Sequence, residues 1–181
     1  MPNWCNNSIT IQGSTETIET LWEEANKDNS GLLQAMVPMP SELNDTTAPS
    51  DATNWYDWRV QNWGTKWDID LEGLEFINNH DGTSVITGWF DSAWAPPIEA
   101  YNAFLDDMDG CSLEATYEEG GMDFAGIYED GEDSYIEGVS DLARKKLEDG
   151  DSGDPLYDLL DSRMDLTESR AEYIQEEMEE A

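Results

Sequence analysis

Basic residues are scarce in this chain: eight Lys and Arg stand against 42 Asp and Glu, a formal net charge of −34 over 181 residues. A surface of that sign repels nucleic acid and anionic membranes, and it attracts cations and basic proteins. Histidine is nearly absent too. The single one, His80, lies in a predicted turn with no Ser-centred elbow motif elsewhere, which argues against a nucleophilic triad. Only two cysteines occur, Cys5 and Cys111, and there is no CxxC pair. Each is read as a reduced, small hydrophobe in its own strand, and neither a metal site nor a cofactor is expected. Long apolar runs are missing as well. The longest, 32–39, is interrupted by Gln34 and Pro38, so no membrane-spanning helix is expected. With no apolar leader after Pro2, a cytoplasmic location is the expectation.

What the chain does have is tryptophan, eight residues in all, within a modest apolar fraction of 38 %. Such aromatic content with clear strand patterns marks a folded protein despite the acidity. The acids are spread throughout. Residues 1–128 hold 23 acids against three bases (Lys27, Arg59, Lys66), and residues 129–181 hold 19 against five. The whole surface is therefore negative.

A strand is predicted over 3–12, where Trp4, Asn6 and Ser8 alternate with Cys5, Ile9 and Ile11. Ser14 caps a following helix whose apolar stripe is Ile18, Leu21, Trp22 and Ala25. A proline-punctuated loop (Pro38, Pro40, Pro49) reads as surface. Asn54 caps a short Trp-rich helix with Asp57 at its third position, and Gly64 is suited to end it. Strands 74–78 and 84–94 flank the turn His80-Asp81-Gly82. A helix after Pro97 is expected to bury Ile98, Tyr101, Ala103, Phe104, Leu105 and Met108. Two extended runs, 111–117 and 124–128, follow as a hairpin around Gly120-Gly121. The order is strand, helix, inserted aromatic helix, hairpin, helix, hairpin. It predicts an α+β protein with a ferredoxin-like antiparallel sheet and helices on one face, spanning 1–138. Residues 139–181 form an acidic helical extension. Asp154-Pro155 starts a helix with Leu156, Leu159, Leu160 and Met164 at docking spacing. Thr167 is expected to cap a last helix carrying Ala171, Ile174 and Met178, whose end at 176–180 sets carboxylates against the negative helix terminus.

These residues resemble the YubB ferredoxin-like domain family of plasmids and phages. The resemblance is carried by Met1-Pro2-Asn3-Trp4-Cys5-Asn6-Asn7, by Trp58, and by Asn62-Trp63-Gly64-Thr65-Lys66-Trp67-Asp68. It continues through Phe90 with Ala93-Trp94, Pro96-Pro97 and the stretch 118–126. It covers about the first 130 residues, the order of one domain. It implies a ferredoxin-like fold and a mobile-element origin, and no activity; the acidic extension departs from the pattern.

Close carboxylate pairs carry no information among 42 acids. Asp68-Ile69-Asp70-Leu71-Glu72-Gly73 opens like a calcium loop, but the twelfth position is Asn79 and the flanks read as strand. Arg59 and Lys66, among Trp58, Trp63, Trp67 and Trp94, have two readings. They either hold the aromatic motif together or line a cationic pocket for an anionic ligand or peptide. The row Glu168, Glu172, Glu176 and Glu180 on the last helix, spaced about 6 Å per step, is either a solvated face or a contact surface for which the first three are the candidate residues. Three functions compete. The first is a non-enzymatic phage-type protein that binds a basic protein surface, such as a nucleic-acid-binding host protein in the host cytoplasm, as a DNA mimic or inhibitor. It touches neither nucleic acid nor membrane directly. The second is an acidity that serves only solvation in a salty environment, with the Arg59/Lys66 pocket taking a small anion or peptide. The third is an enzyme, disfavoured because no base, nucleophile and oxyanion site assemble.

Overall fold

A computed structural model describes residues 3–180, with side chains described through 176. The elements run β1 (Trp4–Ser14), α1 (Thr15–Ala25), α2 (Leu32–Met36), α3 (Trp55–Trp63), β2 (Leu74–Asn78), β3 (Thr83–Ala93) and α4 (Ile98–Asp107). They continue with β4 (Ser112–Glu119), β5 (Phe124–Glu129), β6 (Glu132–Glu137), α5 (Val139–Asp149), α6 (Pro155–Met164) and α7 (Leu166–Glu180). The protein is α+β. Its six strands form one sheet in the order β2-β3-β1-β4-β5-β6, with every neighbouring pair antiparallel.

Strand alternation decides what each face of this sheet meets. In β1 the odd positions, among them Cys5, Ile9 and Ile11, are buried, and the even positions are exposed. The odd face joins Ile86 and Phe90 of β3 and Leu113 and Ala115 of β4. They share one core with Ile18 and Leu21 of α1, Leu32 and Leu33 of α2, and Tyr101 and Phe104 of α4. Ser14 caps α1 by accepting from the Thr17 amide at 3.2 Å. Each fully buried Leu or Ile contributes roughly 1.5–3 kcal/mol to holding these layers together.

A second core lies on the opposite face. Ala125 and Ile127 of β5 are in register with Glu118 and Thr116, which share the even face of β1. They pack with Ile136 of β6, Val139 and Ala143 of α5, Tyr157 and Leu160 of α6, and Leu166 and Ile174 of α7. The expectation of helices on one face is therefore corrected: α1, α2 and α4 cover one side, and α5, α6 and α7 cover the other side at its β5–β6 end. The remainder of that second side, over β2, β3 and β1, carries exposed residues.

The final hairpin is corrected as well. A third strand, β6, follows β5 through Asp130-Gly131, both at positive φ (47° and 103°), the backbone a tight Asp-Gly hairpin turn requires. Tyr117 of β4 reaches across β5 to donate to Asp133 of β6 at 2.6 Å. It can cross because residue 126 is glycine: a Cβ there would lie 2.3 Å from the Tyr117 hydroxyl. Further local expectations shift. The loop after α1 contains α2 and a 3-10 turn at Ser41–Leu43. Cys111 precedes β4, Met108 is exposed, and in α6 Tyr157 is buried while Leu159 is exposed. α7 starts at Leu166, ahead of the expected Thr167 cap, and Thr167 donates its amide to Asp161 at 2.6 Å. Met178 and the carboxylates after Glu176 lie outside the described side chains.

Leu160 is fully buried in the second core. Leu160→Ala should cost about 2–5 kcal/mol, read as a lower urea midpoint. An unchanged midpoint would mean that this cluster does not hold α5, α6 and α7 to the sheet.

Candidate functional site

The Trp-rich segment begins with a helix start that its own side chains enforce. Asn54 accepts from the Asp57 amide at 3.0 Å and donates to the Asp57 carboxylate at 2.8 Å. Trp63, at the other end of α3, is fully buried, and its indole Nε1 donates to the Val37 carbonyl at 2.9 Å. Trp58 packs edge-on against it at 5.8 Å between centroids. Gly64 then turns the chain with φ 83°, a left-handed conformation.

From that turn the segment docks on the ends of β1 and β3. The Thr65 hydroxyl donates to the Ala93 carbonyl at 2.9 Å. Lys66 lies between two indoles, its Nζ 4.1 Å from the Trp67 centroid and 4.2 Å from that of Trp94. Trp67 meets Trp4 of β1 at 5.6 Å, tilted by 40°. Trp94 adopts φ 70°, rare for so bulky a residue, while its amide donates to the Asn3 carbonyl at 2.9 Å. Asn7, buried on β1, donates to Ser92 Oγ at 2.9 Å, and Ser92 donates to the Ala95 carbonyl at 2.7 Å. Trp4, Asn7, residues 63–68 and Ala93-Trp94 are thus brought together at one end of the sheet. Met1 and Pro2 lie outside the described residues.

Arg59 spans the faces of Trp55 and Trp63 at 5.3 and 4.8 Å, and it donates to the Lys66 carbonyl at 3.4 Å. Burial lowers its pKa, opposed by the nearby Asp68 carboxylate. Burial also raises the pKa of Asp68. Amide donors from Ile69, Leu33 and Gln34 counter that rise, with Asp68 Oδ1 accepting from Leu33 and Ile69 at 2.8 Å each. Asp68, read as the opening of a calcium-like loop, is occupied in fastening this segment to the start of α2. Asp70 accepts from the Glu72 amide at 3.0 Å, and Asn79 donates to Thr83 at 3.0 Å. Among the described residues no group of three or more His, Cys, Asp or Glu side chains is placed to hold a metal ion. His80 is exposed in its turn, its amide donating to Asn78.

Beside this cluster lies a cleft of about 310 Å³, lined by Trp4, Trp67 and Trp89 together with Asp70, Glu72 and Asp91. Trp89 is seated by a close backbone approach of two glycines. A Cβ on Gly73 would lie 2.2 Å from the Trp89 carbonyl and 3.1 Å from its indole Cδ2, and one on Gly88 would lie 2.1 Å from the Gly73 carbonyl. Neither Arg59 nor Lys66 lines this cleft. Both cations lie instead on indole faces, and the cleft next to them is acidic and aromatic. Sequence reasoning did not single out Trp4, Trp89 or Asp91 as site residues. The available signal was a Trp on the polar phase of a strand: Trp4 shares its phase with Asn6 and Ser8, and Trp89 with Thr87 and Asp91. Glu168, Glu172 and Glu176 are all exposed on α7, which packs mainly on α5, on elements separate from the aromatic cluster.

All eight basic side chains are engaged within the chain. Lys27 pairs with Glu24, and Arg59 and Lys66 lie on indoles. Lys145 donates to the Ser152 carbonyl, and Lys146 bridges Asp158 and Asp161 at 2.9 Å each, which raises its pKa. Arg163 pairs with Glu114 at 2.6 Å, Arg170 with Glu118 at 3.1 Å, and Arg144 has a partner too. Eight bases cannot match 42 acids, so most carboxylates are left without an internal cation.

No family model and no curated protein matches the chain. Among solved structures, protein api92 from Yersinia pseudotuberculosis, of family DUF1281, is similar over 59 % of this chain and 40 % of its own, at 14 % identity and a TM-score of 0.42. The chain therefore spans less than half the length of that protein. Among the described residues no helix is long and apolar enough to cross a membrane.

Two outcomes are expected. Trp63→Ala should cost about 3–5 kcal/mol in chemical denaturation, since it empties a core site and orphans the Val37 carbonyl; an unchanged stability would place Trp63 outside the load of the core. The melting temperature should rise with NaCl as the Debye length falls from about 10 Å at 0.1 M to about 3 Å at 1 M. A flat or falling curve would mean that the acids are already compensated, for instance by tightly bound cations.

Proposed function

We propose that this chain is a non-enzymatic binding protein whose target is a basic protein surface, and that it acts as a DNA mimic towards a host protein that normally holds nucleic acid. The observation that carries this reading is the engagement of all eight bases inside the molecule, against 42 acids. No internal cation is left over to neutralise the outer field, so that field stays available to a basic partner in competition with salt ions. The same ground argues against phosphates as direct ligands. The exposed row Glu168, Glu172 and Glu176 offers carboxylates about 6 Å apart along α7, a loose match to a phosphate row.

We infer further that residues 1–138 form a ferredoxin-like core. Support comes from the sub-order β2-β3-β1-β4 with α1 and α4 on its crossovers, to which β5 and β6 are added at the β4 edge. Membership of the YubB family rests on the strand-start and tryptophan motifs described above. The mobile-element origin and the host-cytoplasm setting rest on that membership.

The test is affinity capture of host basic proteins at two salt concentrations, followed by competition with duplex DNA. A basic protein retained near 0.1 M salt, released towards 1 M and displaced by DNA is the expected result. Glu168→Gln, Glu172→Gln and Glu176→Gln together should slow its association without lowering the melting temperature, since all three are exposed and their loss only reduces repulsion. Absence of any salt-sensitive partner would favour acidity as solvation alone. Tight binding of DNA or RNA without a bridging cation would overturn the electrostatic premise.

A further inference from the structure

Trp89 is 65 % exposed, Trp4 47 % and Trp67 39 %, and all three line one cleft. Three indoles left in water at one place are costly unless something covers them, and Trp is enriched at the centres of binding surfaces. Three exposed carboxylates, Asp70, Glu72 and Asp91, line the same cleft. Indole faces with carboxylates beside them are complementary to an organic cation: the ring quadrupole and the carboxylates attract the same charge. The protein already makes this contact once with its own side chain, in Lys66 between Trp67 and Trp94. Asp91 accepts from Asn6 Nδ2 at 2.6 Å, and a carboxylate with about four lone-pair sites keeps capacity for a second donor.

We propose that the Trp4–Trp67–Trp89 cleft receives the alkylammonium or guanidinium side chain of a basic polypeptide, a proposal that rests on the reading of this chain as a binder of basic protein. The cleft volume of about 310 Å³ accommodates one such side chain. The position of the cleft fits as well. It lies on the half of the second sheet face that α5, α6 and α7 leave open, where a polypeptide can approach. The spread-out field supplies attraction at a distance, and the cleft supplies a contact that salt screens less, because the cation is held close to the rings.

The test uses the full chain with labelled tryptophan, titrated with acetylated tetralysine, tetra-arginine and the neutral tetracitrulline, with the indole N–H resonances of Trp67 and Trp89 as the readout. Either basic peptide should shift both resonances, and tetracitrulline should shift neither. Trp89→Ala should weaken the basic peptides about tenfold. The pair Asp70→Asn and Asp91→Asn, which keeps the cleft's shape, should weaken them as well, which guards against a folding defect in the first variant. Basic-peptide binding that leaves both indoles unshifted and survives these variants would overturn the cleft proposal while the charge-based reading stands. No binding of basic peptide at low salt would remove both. A single-stranded RNA oligonucleotide that shifts the same indoles more strongly than the peptides would overturn the proposal in favour of base stacking.

Discussion

Self-repulsion among 42 acidic side chains is the constraint that the rest of this molecule answers. A net charge so far from zero weakens any compact state, so the apolar layers must hold against it. They do so by using both faces of a single sheet, with one core under α1, α2 and α4 and another under α5, α6 and α7. The few bases are placed where acidic elements have to approach each other. Lys146 ties α5 to α6, while Arg163 and Arg170 tie the C-terminal helices to Glu114 and Glu118 of β4. An exposed ion pair contributes about 0–1 kcal/mol. The bridge from Arg163 to Glu114 is of this kind, while Arg170 meets Glu118 in a more sheltered place; both relieve local repulsion, and hydrophobic burial supplies the bulk of the stability.

In the aromatic segment, cations serve a different purpose. Arg59 and Lys66 are laid on indole faces, an arrangement that costs less than burial without a partner. Trp63 fills the first core, Asp68 fastens the segment to α2, and Trp94 accepts a left-handed backbone to complete the stack on Lys66. A left-handed conformation at a non-glycine residue costs of order 1–3 kcal/mol and persists where its surroundings fix it. One consequence of this docking is that Trp67 and Trp4 reach the second sheet face, where Trp89 stands over Gly73. The acidic aromatic cleft is thus built by the same contacts that close the core, and its walls are held by two strands and a capped loop.

Features encoded locally were legible in the sequence. The caps Ser14, Asn54 and Asp154, the left-handed Gly64, and the strands of the Asp81-Gly82 hairpin each depend on a few adjacent residues. β6 was not legible, because Glu132–Glu137 buries only Ile136 and so lacks a strand's apolar alternation. Its strand state comes from pairing with β5, a partner that its own composition does not announce. α2 is five residues long, too short for a periodic signal, and Asp68 starts it from 35 positions away. The two-sided use of the sheet could not be read either, since which face the C-terminal helices meet depends on the register of β5. Of the site, the motif from Trp63 to Trp67 and Trp94 stood out by composition. Trp4, Trp89 and Asp91 entered it only through the pairing of β1 with β3.

The central claim is that an uncompensated negative field draws this protein to a basic partner, and ionic strength acts on that field directly. The most direct measurement is the association rate constant with a basic protein or peptide ligand, followed by stopped flow from low to high salt. Steered association falls steeply as salt rises, with a gain of about 10–1,000-fold at low ionic strength. A rate constant that falls along such a curve, with dissociation changing far less, is the result this account predicts. A rate constant that does not depend on salt would contradict it, because the acids would then contribute nothing to the encounter.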